Sequence, residues 1–191
     1  MPPRTHKRSP LAVQLLLLLL EEPMHAYRMQ QLIRERHKDT VVNIAQRNSV
    51  YQTLDRLLRD GLIEVHETEQ TGNRPRSTTY RITDEGRETL LSWLRTMLST
   101  PAREFPEFPA ALASLPALTP ESVRELLDGR VAKLRRTLAR MDDEKRLTDG
   151  MGLHRVFTIE DEYRRAMVEA ELAWVMAVIA DLGEGRLTWH R

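Results

Sequence analysis

Cysteine is absent from this chain. No disulfide framework, thiolate nucleophile or cysteine-ligated metal is therefore available, and the absence fits a reducing, cytoplasmic location. Nor is there an apolar run long enough to span a bilayer, which needs about 20 residues. The longest candidate, Leu11–Leu20, follows Arg4, Lys7 and Arg8 and has the outline of a signal peptide. No small-residue cleavage site follows it. Glu21-Glu22-Pro23 does, so the run reads as a buried core helix with no membrane role. The histidines (His6, His25, His37, His66, His154, His190) are scattered without ligand spacing. Asp142-Asp143-Glu144 lacks the glycine and spacing of a calcium loop, so neither a metal nor another cofactor is expected. Gly-rich phosphate loops, nucleophile elbows and paired catalytic carboxylates are missing too, which argues against an enzyme.

Net charge is close to nil at +1, but it is unevenly spread. Residues 1–100 carry 15 Lys/Arg against 12 Asp/Glu, and residues 101–191 carry 14 against 16. The imbalance permits a basic face on the first half without requiring one. A length of 191 residues suits one large domain or two small ones, and 30% charged residues beside 41% hydrophobic suit a soluble, helix-rich protein.

What the chain does contain begins with helices. Ser9 and Pro10 open the first, about Pro10–Glu21, as N-cap and first-turn proline, and Pro23 closes it. A second, about Met24–His37, has an apolar stripe of Ala26, Met29, Leu32 and Ile33. Tyr27 falls on its polar side, to pack on another element or face a partner. Val41–Ala45 reads equally as extended chain or as the start of the next helix. That third helix, Gln46–Asp60, turns Val50, Leu54, Leu57 and Leu58 to one side and Asn48, Gln52, Asp55 and Arg59 to the other, and Gly61 stops it. Two strand candidates follow, Leu62–Thr68 and Ser77–Ile82, joined by a turn that holds Gly72, Asn73, Arg74, Pro75 and Arg76. They predict a hairpin with a basic tip. Thr83 then caps a helix that ends near Ser99.

Residues 101–120 are punctuated by five prolines and predict a packed linker with a short helix around Ala110–Ser114. Thr119-Pro120-Glu121 opens a long helix with Val123, Leu127, Val131, Leu134, Leu138 and Met141 on one side. The last helix, about Thr158–Leu182, spaces Val168, Leu172, Val175, Ile179 and Leu182 in the 4-3-4-3 pattern of a coiled-coil seam. A lone chain is expected to expose that seam, so these five residues are read as a dimerisation surface. The domain boundaries expected are 1–100, a linker over 101–120, and a helical hairpin over 121–191.

Three helices followed by a hairpin with a basic tip is the order of a winged helix-turn-helix. One α-helix fits the major groove, where each base pair shows a distinct pattern of donors and acceptors. A wing can set cations such as Arg74 and Arg76 against the adjoining backbone or minor groove. The fold class expected is mainly α: an N-terminal winged helix-turn-helix with a two-stranded wing, then a C-terminal α-helical dimerisation domain.

Three segments carry a family resemblance. They are Leu16–Tyr27, the run Val50-Tyr51 to Leu62-Ile63 with Asp60-Gly61 inside it, and Tyr80-Arg81-Ile82-Thr83-Asp84-Glu85-Gly86. In that order and spacing they resemble the PadR family of transcriptional regulators over about residues 10–95. Phe105–Pro109, Leu126-Leu127 with Arg130, and Glu169–Trp174 look like the longer helical C-terminal domain of one branch. The resemblance implies a homodimeric regulator of double-stranded DNA, usually a repressor, often released by a small molecule. It also implies DNA contacts from Gln46, Arg47, Asn48, Ser49, Tyr51, Gln52 and Arg56 on the third helix, and from Arg74, Arg76 and Tyr80 at the wing. Two positions depart from the family pattern. Ala26 stands where Gly is usual, and Gln46-Arg47-Asn48 replaces a common Ser-Pro-Gly, so the preferred DNA sequence should differ.

Trp93 and Trp174 are candidates to line a pocket for a flat aromatic or hydrophobic effector, though core or dimer packing is the simpler explanation of both. Two rival readings stay open. In one the winged helix binds another protein; in the other a ligand sensor has lost its DNA contacts.

Overall fold

The computed structural model describes residues 6–44, 47–69 and 77–189, with the side chains of Arg47, Asn48, Glu69 and Ser77 excepted. The chain divides into two units, 1–103 and 104–191.

In the first unit, α1 (Pro10–Glu21) is the element the others pack on. Ser9 Oγ accepts from the Ala12 amide at 3.2 Å, and Pro10 occupies the first turn. Leu11, Ala12, Val13, Leu15, Leu16, Leu18 and Leu19 are all buried, so the leucine-rich run is a core helix wrapped on most sides. The second helix starts later than its periodicity predicts. Met24–His25 forms a short strand, β1, and α2 covers Ala26–Glu35. β1 pairs with the hairpin strand β3, Met24 opposite Tyr80 and His25 opposite Thr79, so the sheet has three strands in the order β1-β3-β2. A third helix, α3, runs Arg47–Arg59, and Val50, Leu54 and Leu57 are sealed into the same core. Leu58 is 37% exposed, a correction to its placement on the buried face.

The hairpin is β2 (Ile63–Glu69) and β3 (Ser77–Ile82), antiparallel, with a register irregularity between Val65 and Glu67. Such bulges increase local twist. Glu64 and Arg81, opposite each other, form an ion pair at 2.6 Å. α4 covers Asp84–Ser99, capped by Thr83, whose Oγ1 accepts from the Gly86 amide at 3.0 Å.

α3 and α4 meet in one tight junction. Gly61, at φ 73°, ends α3: its amide bonds to Leu58 O, and the Leu62 amide reaches back to Leu57 O at 3.0 Å. That pair is a Schellman stop, with Leu57 and Leu62 both buried as its apolar contact. Thr83 Oγ1 donates to Gly61 O at 2.7 Å, and the Thr83 amide to Leu62 O at 3.2 Å. Gly86 lies so close that a Cβ there would stand 1.9 Å from Leu62 O.

The second unit begins with a short helix, α5 (Glu107–Leu112), three residues earlier than the prolines predict. α6 (Pro120–Asp149) is capped by Thr119, and α7 covers Ile159–Gly183. Val123, Leu127 and Val131 of α6 pack against Val175 and Val178 of α7, with Leu172, Ile179 and Leu182 at the margin. The expectation that a lone chain exposes the seam is therefore overturned: α6 of the same chain covers it. Ion pairs flank this core, Arg130–Glu171 at 2.5 Å and Arg165–Asp142 at 2.5 Å. The Arg130 guanidinium also lies 3.5 Å from the centre of the Phe108 ring, and Trp189 Nε1 donates to Leu118 O at 2.9 Å. Among the described residues no helix is long and apolar enough to cross a membrane.

Candidate nucleic-acid interface

α3 is held by its apolar face, and that leaves its outer face free. Tyr51 is 51% exposed, and Gln52, Asp55 and Arg59 are exposed beside it. Gln52, Asp55, Leu58 and Arg59 line an open hollow along the helix. Ser49 is half-buried, and its carbonyl accepts from Thr53 Oγ1 at 2.7 Å. Arg47 and Asn48 belong to the first turn of α3; their side chains are not described. Gln46, Arg74 and Arg76 lie outside the described residues, so the basic wing tip and the residue just before α3 are not placed.

Tyr80 is half-buried on β3 and packs against the first core. Burial, first, and then the nearby Asp55 carboxylate and Tyr51 push its phenol above the ordinary range. It stays protonated at neutral pH and remains a hydrogen-bond donor. The hairpin adjoins α3 through β2, which packs on that helix.

Arg56 does not share that surface in the way its sequence position suggests. Its Nη2 donates to Ser9 Oγ at 3.1 Å, and its Nε is sealed from solvent. The guanidinium points back at the N-terminus of α1 instead of outward.

Two features of this region were not legible beforehand. His25 caps α2: its Nδ1 accepts from the Arg28 amide at 3.1 Å, so the neutral ring carries its proton on Nε2. Tyr27, two residues on, is 67% exposed, with its ring 6.3 Å from that of His25. Since β1 is laced to β3, His25 ties the wing to the helix-turn-helix. A histidine is an uncommon cap, and the preference for Ser, Thr, Asp and Asn gave no hint of it.

Trp93 packs on the core of the first unit. Trp174, in the second, is 47% exposed and stands edge-on to Phe108 at 6.2 Å between ring centres. Among the described residues no three His, Asp or Glu side chains converge as metal ligands.

Residues 15–92 match the family model described as the transcriptional regulator PadR-like family. No curated protein matches the sequence. Several solved structures match the fold. PadR of Bacillus subtilis in complex with operator DNA has a TM-score of 0.71 at 16% identity, over 90% of this chain and 98% of that one. The same protein in complex with p-coumaric acid gives 0.70 at 16%, over 92% and 99%. The Vibrio cholerae virulence activator AphA gives 0.66 at 19%, over 91% and 98%. At such identities the likeness is one of fold, but the family model runs from the middle of α1 to the middle of α4, including the junction at Gly61 and Gly86. Over residues 15–92 the first unit of this chain carries the domain described as the transcriptional regulator PadR-like family.

Proposed function

We propose that this protein regulates transcription in the cytoplasm by binding duplex DNA as a homodimer, with α3 in the major groove and the β2–β3 wing against the adjoining backbone. The observation that carries this reading is the outer face of α3, where Tyr51, Gln52, Asp55 and Arg59 stay exposed while the opposite face is locked into the core. The fold shared with a PadR bound to operator DNA supports it. Gln46, Arg47, Asn48 and Ser49 at the start of α3 would read bases, and Arg74 and Arg76 would meet phosphates. Two copies related by a two-fold axis would read a pseudo-palindromic site with half-sites about one turn, roughly 34 Å, apart.

The surface for the second copy is the other side of α7. Tyr163, Ala166, Ala170, Ala173, Ala177 and Ala180 form a second 3-4-3-4-3 stripe, all exposed, while the Leu172–Val175–Ile179 side covers α6. Small residues let two helices approach to about 8 Å. The five seam residues then act indirectly, by holding α7 in place for its partner. The regulator acts as a repressor, released when a small aromatic or hydrophobic effector favours a different dimer geometry. A PadR with p-coumaric acid bound shares the fold, and in this chain Trp174 with Phe108 offers a flat ring such a ligand would meet.

The test is selection of duplex DNA from a random pool, then titration of binding against salt. The expected outcome is a two-fold symmetric sequence and affinity that falls steeply between about 50 and 200 mM salt. Changing Arg74 and Arg76 to Ala should lower the salt slope by about one unit each. Binding without salt dependence, or no binding, would favour the protein-interaction reading. DNA binding indifferent to the Arg47→Ala and Arg74→Ala changes would favour the ligand sensor.

A further inference from the structure

The rear of α3 is strapped to the segment that precedes α1. Arg56 Nη2 donates to Ser9 Oγ, which at the same time caps α1 by accepting from the Ala12 amide. Four residues on, Asp60 Oδ2 stands 3.6 Å from His6 Nδ1, and the other ring nitrogen of His6 is 3.5 Å from Glu85 Oε1 in the first turn of α4. The His6 side chain is only 10% exposed. Residues 6–9 thus bridge three elements: α1 by its cap, α3 at Arg56 and at Asp60 just past its end, and the start of α4.

Stability does not explain the Arg56 contact. A cation beside the N-terminus of α1 opposes that helix's dipole. The buried Nε has no partner among the described residues, which costs free energy. A polar contact that is unfavourable for stability makes sense where it fixes geometry. We propose that Arg56, with Ser9, is a positioning residue for DNA recognition: it sets the pitch of α3 from behind and touches no phosphate. This rests on the DNA-binding reading above and replaces the direct contact that the position of Arg56 on the helix implies.

The two roles separate in one titration. A phosphate-contacting arginine contributes about 0.9 to the slope of log affinity against log salt concentration. A positioning arginine contributes nothing to that slope but changes the ratio of selected to random duplex. Arg56→Met keeps the bulk of the side chain and removes its charge and donors. The expected result is a selected-to-random ratio about tenfold lower, the equivalent of one charged hydrogen bond, with the slope unchanged and the unfolding midpoint equal or higher. A slope shallower by about 0.9 would show a phosphate contact and overturn the proposal; an unchanged ratio with an unchanged slope would overturn it too. Ser9 gives a second route should Arg56→Met fail to fold. Ser9→Asp preserves both the helix cap and the acceptor and should keep the ratio, whereas Ser9→Ala should lower it as Arg56→Met does. Equal ratios for the two Ser9 variants would count against the proposal. If the unaltered protein shows no salt-dependent binding, it is the DNA-binding reading that fails.

Discussion

Gly86→Ala is the sharpest perturbation of the frame that holds α3. A Cβ at residue 86 would lie 1.9 Å from Leu62 O, 2.9 Å from Leu62 C and 3.0 Å from Ile82 Cγ1. Carbon and carbonyl oxygen tolerate approach to about 3.3 Å, so roughly 1.4 Å of movement is required. The obstacle is backbone, not the end of a flexible side chain, and cannot rotate away. Alanine is otherwise the better helix former, by about 1 kcal/mol. Against that gain stand an overpacking cost of about 1–3 kcal/mol and the loosening of the Thr83–Gly61 and Thr83–Leu62 hydrogen bonds, about 1 kcal/mol each. The clash wins, and the net expected loss is about 2–4 kcal/mol. With a urea slope of about 1–3 kcal/mol per molar, the unfolding midpoint of the first unit should fall by about 1–2 M. Gly129→Ala on α6 is the matched control. Nothing lies within 4 Å of its would-be Cβ, so it should gain up to about 1 kcal/mol. A Gly86→Ala protein as stable as the unaltered one would refute the reasoning, because the junction would then have slack the geometry does not show. DNA affinity should fall with it, since Leu62, whose carbonyl the Cβ would strike, closes α3 through its own amide to Leu57 O.

The two sides of α7 should respond differently to substitution. Ala173→Glu places a charge on the exposed stripe and should yield monomers at micromolar concentration, by light scattering after size exclusion, with unfolding of the hairpin unchanged. Val175→Ala, on the side buried against α6, should cost about 2 kcal/mol in hairpin stability and leave the mass unaltered at low denaturant. The Glu21–Arg36 pair, 2.5 Å apart, makes a pH prediction: the hydrogen bond from Arg36 holds the Glu21 carboxyl below the usual carboxylate range. A depressed carboxylate stabilises the fold above its unfolded value, near 4.3, and that contribution is lost as pH falls through the folded value. Both side chains are nearly half exposed, so the effect should be under about 1 kcal/mol and should vanish in Arg36→Gln. A pH dependence of stability below about 4.5 that is identical with and without Arg36 would count against it.

Signals that act within one turn were legible in the sequence. Ser9, Thr83 and Thr119 cap the helices they announce, because a cap depends on two or three neighbouring residues. The segments Asp60–Ile63 and Tyr80–Gly86 were recognisable as family motifs before their purpose was visible. In the structure they are the two halves of one junction, Gly61 against Thr83 and Leu62 against Gly86. Pairing across long sequence separation was hidden. β1 exists only because Met24 and His25 meet Tyr80 and Thr79, more than fifty residues on, and on local pattern alone they extend the helical stripe of α2. The bond from Arg56 to Ser9 was hidden for the same reason. Its angular position puts it near the edge of the outer face, and only Ser9, 47 residues earlier, turns it inward.

The α7 seam shows the limit most clearly. Leu172, Val175, Ile179 and Leu182 at 4-3-4-3 spacing state correctly that the helix has a close-packed partner. Periodicity carries no information on whether that partner is in the same chain or another. α6 could be inferred as the partner from its own stripe, Val123-Leu127-Val131, which needs cover too: two apolar stripes in one hairpin satisfy each other first, because their effective concentration is high. Once that pairing is made, the opposite face of α7 keeps Tyr163 and five alanines at 3-4-3-4-3 spacing, all exposed, and that stripe is where a second copy would add the next layer.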